Sequence, residues 1–441
     1  MHRRSRDVNS PRKVQEQDSV PGPPGVDPAY PDGGTPPSAR SRHGLDWFVF
    51  CVADIQTGFG PFVAVFLTTQ KWTQLDIGLV LTISGLVSLV GQIPLGAMVD
   101  AVCSIRAMAV LSLIAIGISA VVFAAWPIFP VVLASRVLHA AASCVLGLCL
   151  VSLSLGLVGP AGISARLGRN AAFASAGTGV AALTMGGLGY YVSSQAVFFL
   201  AAALVVPALT ALLRIDAAEI AAAPRPREAS GGSWTATIAG VLSLGRNRRL
   251  VIFCGCVVMF HLANAAMLPL AASMLTLRSS EAATVMVAAA MVVPQFTVTL
   301  LSPLVGRGAQ RWGRRPFLLI GFAALVVRGA CFALTGEPYF LVAIQVLDGV
   351  SAAVLGVLVP LTVSDLTRGT HFNLAQGTVG CAMGIGASFS TVMTGYVADT
   401  MGSYTAFLTL AVVAAAGLAL VALVMPETRP TEAGEGRQSR G

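Results

Sequence analysis

Residues 131–150 read VVLASRVLHAAASCVLGLCL, and residues 341–360 read LVAIQVLDGVSAAVLGVLVP. Each run is apolar enough, and at about 1.5 Å per residue long enough, to cross a hydrocarbon layer of about 30 Å as a helix. They also share a pattern. Arg136-Val-Leu-His139 with Val145-Leu-Gly147 recurs as Gln345-Val-Leu-Asp348 with Val354-Leu-Gly356. A similar separation, 208 residues, carries Gln56 and Pro61 onto Asn264 and Pro269. An ionisable group precedes each amide, Asp54 in one copy and His261 in the other, one position out of register. This is the signature of a duplicated membrane protein whose halves face each other across a polar cavity.

Composition agrees. Of 441 residues 55% are hydrophobic and 11% charged, against about 25% charged in soluble domains, and the mean hydropathy is +0.77. Twelve spans are predicted, at 45–69, 75–97, 105–126, 129–157, 168–192, 195–213, 248–273, 282–306, 315–335, 338–364, 372–397 and 403–425. Lipid admits only helices or closed barrels, and these runs far exceed the roughly 10-residue strands of a barrel, so the fold class is all-α. With the amino terminus in the cytoplasm, 24 Lys and Arg side chains fall on the inner side and only Lys71 and Arg278 outside. That bias places both termini inside. The net charge of +8 then reflects topology and anionic lipid headgroups rather than nucleic acid. The eight cysteines show no zinc or disulfide spacing and read as small packing residues.

Residues 1–43 carry eight prolines and almost no large apolar side chains, and read as a disordered cytoplasmic tail. Residues 44–213 form the first six-span bundle and 214–247 a cytoplasmic linker, within which 234–245 has a surface-helix pattern of Trp234, Ile238 and Leu242. The second bundle covers 248–426, and a short tail, 427–441, closes the chain. No apolar run directly follows the basic start at Arg3, Arg4 and Arg6, so no cleaved signal is expected.

After the second span the sequence reads Gly96-Ala-Met-Val-Asp100, and after the eighth Gly306-Arg-Gly-Ala-Gln310-Arg311-Trp-Gly313-Arg314-Arg315. With two sixfold halves and the ending Pro426-Glu-Thr-Arg429, residues 44–428 resemble the major facilitator superfamily of secondary transporters. Its loop signature is Gly-x-x-x-Asp-Arg-x-Gly-Arg-Arg. The first copy keeps Gly96 and Asp100 but has Ala101, Cys103 and Ser104 where basic residues and glycine are usual; the second has Gln310 in place of the acid. The resemblance implies that Gly96, Asp100, Gly306, Arg311, Gly313, Arg314 and Arg315 form a conformational latch. It also implies that spans one, four, seven and ten line the cavity. Physically, Asp100 suits the amino end of a neighbouring helix; the alternative for Arg311, Arg314 and Arg315 is simple topology anchoring. Gly159-Pro160 falls before the fifth span, so the Gly-Pro pattern of many exporters is absent from that span.

Helical spacing puts Gln56 and Gly60 on one face and Asp54 on another, while Arg136 shares a face with His139 and Gln345 with Asp348. A charge at a helix centre costs about 2.5 to 3.5 kcal/mol on insertion scales, so these groups need partners or a wet cavity. Asp54, His261, His139 and Asp348 are proton-coupling candidates, and Gln56, Arg136, Asn264 and Gln345 substrate-binding candidates. Against this stand a static Arg136–Asp348 pair, histidines that only bond a neighbour, and amides that act as helix glue. Arg328, alone in the ninth span, is expected to snorkel to the outer interface. Pro61 and Pro269 are hinge candidates because each removes a backbone donor.

The expected function is alternating-access transport of a small organic solute, proton-coupled, with export favoured over import by analogy. The rivals are an uncoupled facilitator and a non-transporting sensor or scaffold. No cofactor, metal cluster, nucleotide loop or enzymatic constellation is expected. The expected partners are solute, proton and lipid, and the expected form a monomer in a bacterial inner membrane.

Overall fold

The computed structural model describes residues 37–58, 61–72, 74–102, 104–221, 240, 242–271, 283–367 and 372–429. Most of both tails, the linker core with Trp234 and Ile238, and Gly60, Cys103 and Arg278 lie outside the described residues.

The first span runs Ala39–Gly58 and resumes as Pro61–Thr69. Among the described residues eleven further helices are long and apolar enough to cross a membrane: Leu79–Ala101, Ile105–Ala125, Phe129–Gly159, Gly162–Tyr191, Ala196–Leu213, Arg248–Ala271, Ala289–Trp312, Arg315–Leu334, Pro338–Thr367, Phe372–Met401 and Ser403–Leu423. They are called here the second to twelfth spans; the second begins at Gln74 and the eighth at Ala283. Local chemistry sets several starts. Ser104 accepts from the Ala107 amide and Asn247 from the Leu250 amide, each satisfying a donor that a helix leaves open at its amino end. Pro316 and Pro130 occupy first-turn positions where no donor is needed.

Three boundaries correct the sequence reading. The first helix begins at Ala39, inside the stretch read as tail, because Ser38 and Ser41 bond Glu219 and Asp216 across the bundle's end. The linker stretch begins with a short helix, Ala217–Ala221. The fourth and fifth spans meet at a kink instead of a loop. Gly159 takes φ 66°, which glycine adopts without penalty, and the fifth span starts at Gly162, so Arg166 and Arg169 lie within it. Both hold Asp46 of the first span, at 2.8 and 2.6 Å, and the Asp46 side chain is 2% exposed.

The duplication is visible in the packing. Phe123 and Phe198 lie with ring centroids 4.6 Å apart in the first bundle, and Phe332 and Phe407, each 209 residues later, 5.0 Å apart in the second. Since lipid is as apolar as these rings, the gain is close packing rather than escape from water.

The bundles meet along two matching seams near the face that carries both ends of the described chain, the terminus face. In one, the second span lies on the eleventh: a methyl on Gly96 would sit 2.5 Å from the Asn373 carbonyl oxygen, and one on Gly377 would run into the Gln92 carbonyl. In the other, the fifth span lies on the eighth: methyls on Gly306 and Gly168 would sit 2.5 Å from the carbonyl oxygens of Ser164 and Ser302. Gly96 and Gly306 are 210 residues apart, and Gly168 and Gly377 209. Further along the same helices Gly85, Gly395, Gly186 and Gly187 meet nothing within 4 Å. The seams are therefore tight at the terminus face and open toward the opposite one.

Candidate functional site

Where the first seam opens, a cavity of about 300 Å³ lies against the first bundle. The first span contributes Gln56, the second Ser84 and Ser88, and the fourth Arg136, His139 and Ser143. The helical period explains the last group: positions 136, 139, 140 and 143 fall on one face, and His139 Nε2 lies 3.1 Å from Ser143 Oγ. Arg136 and His139 are buried, and Gln56 is partly so. Asp54, two residues from Gln56, is 5% exposed and does not line this cavity; its Oδ1 has no hydrogen-bond partner among the described residues. Asp54 and Gln56 thus diverge as helical spacing requires.

The second bundle is organised around Arg328. Its side chain is 1% exposed, and Nη1 donates to Asn264 Oδ1 at 2.5 Å and to Asp348 Oδ1 at 2.7 Å, while Nη2 donates to Gln345 Oε1 at 2.8 Å. The guanidinium also lies 5.5 Å from the Phe332 ring. This overturns the expectation that Arg328 snorkels. Three acceptors from the seventh and tenth spans converge on it, and a charge-assisted set of this kind outweighs the reach to the interface. It also overturns the Arg136–Asp348 pairing: Asp348 is held by Arg328. His261 is partly buried, with Nδ1 3.0 Å from the carbonyl of Val257 one turn earlier and its ring against Phe260.

At the terminus face, Asp100 accepts from the Asn373 amide (3.1 Å), Asn373 Nδ2 (2.7 Å) and the Leu374 amide (2.9 Å). These are the first residues of the eleventh span, where open amides and the helix dipole favour an anion. Ser152 of the fourth span donates to the same Asn373 side chain at 2.7 Å. Arg314, 3% exposed, pairs with Asp365 at 2.8 Å and donates to the Ala309 carbonyl at 2.7 Å. Gly313 turns with φ 95° directly over Glu427, whose carboxylate accepts the Arg314 and Arg315 amides at 2.8 and 3.1 Å. Arg315 reaches the Ala422 carbonyl, and Arg429 donates to the Arg311 carbonyl at 2.8 Å.

Of the two prolines, Pro61 opens the second piece of the first span. Before Pro269 the regular helix stops at Asn264, and the Ala266 amide turns to Ser390 of the eleventh span at 3.1 Å. Proline's missing donor accounts for that break. Among the described residues no His, Cys, Asp and Glu cluster suits a metal ion.

Sequence reasoning passed over Asp46, Asp365, Asn373, Glu427, Ser84, Ser88 and Ser143. Asp365 carried a readable signal, an acid at the end of a span with an arginine-rich loop nearby. The serines carried none, because small hydroxyls are common in membrane helices.

The family model described as Major Facilitator Superfamily matches residues 47–296 and 254–440. The chain belongs to the major facilitator superfamily. Two matching relatives, described as uncharacterized MFS-type transporters of Mycobacterium tuberculosis strains CDC 1551 and H37Rv, are 37% identical over 396 residues, covering 88% of this chain and 94% of theirs. Among solved superfamily structures, the Escherichia coli fucose:proton symporter FucP has a TM-score of 0.66 at 18% identity, covering 86% of this chain and 97% of that one. The nucleoside transporter NupG has 0.61 at 18%, covering 87% and 99%. A FucP structure described as outward gives 0.67 at 16% identity, covering 87% and 97%. At these identities the likeness is one of fold.

Proposed function

We propose that this protein is a secondary active transporter that moves a small organic solute by alternating access and couples the movement to protons through Asp54. The observation that carries the reading is the one-sided closure. Two pseudo-symmetric glycine seams and the Asp100 contact shut the terminus face, and a polar cavity lies just beyond them. Alternation then needs the mirror process, parting of the seams and approach of the other ends, with the turn before Pro269 as one bending point. In this reading Gly96, Asp100, Gly306, Gly313, Arg314 and Arg315 hold the closed face, and the terminus face is cytoplasmic.

Asp54 is proposed for the proton because a buried carboxylate is expensive in its charged form, and among the described residues no cation pairs with it. Asp46, Asp348 and Asp365 are each held by arginine. His139 borders the cavity and is the proposed relay. Asn264 and Gln345 act on Arg328, which favours a structural role for both, and Gln56 and Arg136 remain the proposed solute contacts.

Purified protein in proteoliposomes tests this. An imposed pH gradient is expected to drive solute accumulation, and Asp54→Asn to abolish accumulation while keeping solute exchange. Accumulation unaffected by Asp54→Asn removes Asp54 from the coupling, and flux indifferent to a collapsed gradient establishes an uncoupled facilitator instead.

A further inference from the structure

Resting on the transporter reading, we propose that the solute is an amphipathic organic anion, with its acidic headgroup at Arg136 and its apolar body against Leu86 and Leu89. Charge placement carries the argument. The cavity wall presents a guanidinium, an imidazole, an amide and the hydroxyls of Ser84, Ser88 and Ser143, and no carboxylate. Asp46, Asp348 and Asp365 are committed to arginines elsewhere, and Asp54 lies off the wall. An ammonium group entering here would meet the Arg136 guanidinium, and no carboxylate lines the wall to receive it. A carboxylate or sulfonate would meet the planar fork that suits it best, with hydroxyl donors beside it.

The second bundle offers no competing site of that charge. Arg328 is the cation nearest the pseudo-symmetric position; Asp348 neutralises it, and Asn264 and Gln345 accept from its two terminal nitrogens. The pull on an anion is therefore one-sided, toward the first bundle.

The body of the ligand is set by a second cavity of about 350 Å³, which shares Gly85 and Ser88 with the first. Leu86 and Leu89 form its apolar side, and the Leu89 side chain packs on Gly384 of the eleventh span. Leu86 is 53% exposed. Gly85 stands at the junction, and a methyl there would meet no neighbouring atom within 4 Å.

The test uses the full chain in lipid nanodiscs and three probes of one shape: naphthoate, its neutral amide and naphthylmethylammonium. Naphthoate is expected to bind at least about tenfold more tightly than either analogue. Arg136→Gln is expected to weaken naphthoate on the order of ten- to a hundredfold, the worth of hydrogen bonds to a charged group, while Arg136→Lys recovers part of it. Gly85→Val, a second variant should Arg136→Gln fail to fold, adds its β-carbon in open space and is expected to weaken naphthoate about tenfold.

Equal or preferred binding of the amide or the ammonium overturns the proposal, as does absence of binding by all three. So does naphthoate affinity that is unchanged in Arg136→Gln or, where only that variant folds, in Gly85→Val. Counterflow in proteoliposomes separates the two claims. Transport of cations with naphthoate silent sinks the anion class alone, whereas anion binding without counterflow of any solute sinks the transporter reading and leaves the site.

Discussion

At the scale of single residues, the two buried arginines show how a duplicated fold acquires asymmetry. Arg136 has Gln345 as its counterpart 209 residues on, and Arg328 has Ser119, a buried hydroxyl bonded to the Ile116 carbonyl. In the second bundle the arginine stands on the ninth span instead of the tenth, where Asp348 neutralises it. Breaking a buried pair by removing one partner leaves an uncompensated charge and costs about 3–5 kcal/mol. Arg328→Gln and Asp348→Asn are each expected to lower thermal stability in detergent by that order. Combined as Arg328→Met with Asp348→Leu, much of the loss returns. A double-mutant cycle checks this: a coupling below about 0.5 kcal/mol would mean that the two act independently. The sequence showed Arg328 alone in its span and led to the expectation of snorkelling; its partners come from the seventh and tenth spans, and helical periodicity in one span says nothing about which neighbours lie beside it.

At the scale of elements, helix ends carry the fine control. Asp100 at the start of the eleventh span and Glu427 at the start of the ninth each place a carboxylate on open backbone amides. The role of Asp100 at a neighbouring amino end was legible from its position and charge. That of Glu427 was not, since it lies over 100 residues from Gly313. Burial works against the charge of Glu427, yet the amides of Arg314, Arg429, Arg315 and Thr428 hold it below its ordinary 4.5. A depressed carboxylate contributes stability that is fully present above its unfolded value and is lost as pH falls through the folded one. The clamp is therefore expected to release only below pH 4.5. Thermal melts of the parent should fall in that acid range, and Glu427→Gln should flatten that part of the profile. In the same variant, faster hydrogen exchange at Arg314 and Arg315 is expected at neutral pH; unchanged exchange would show that the clamp is dispensable.

At the scale of the whole molecule, the seams set which face is shut. The glycines bring backbone against backbone, so a single methyl at Gly168 or Gly377 forces the bundles apart. Overpacking of this kind costs about 1–3 kcal/mol, enough to move a balanced two-state equilibrium by roughly five- to a hundredfold. Gly377→Ala is expected to lengthen the distance between spin labels at the terminus ends of the second and eleventh spans and to shorten it at their opposite ends. Equal distances in variant and parent would remove the seam from the conformational balance.

Span length, apolarity and the 209-residue repeat are local or periodic properties, and from them the sequence alone determined an all-helical membrane protein of two matched bundles. It also determined that ionisable groups on the first, fourth, seventh and tenth spans need compensation, because lipid penalises any lone charge. The tertiary structure decided which acid meets which arginine, that Asp54 stands off the cavity wall, and that the terminus face is closed. Those outcomes depend on contacts between helices far apart in the chain, and the energy of a charge is fixed by its neighbours in space.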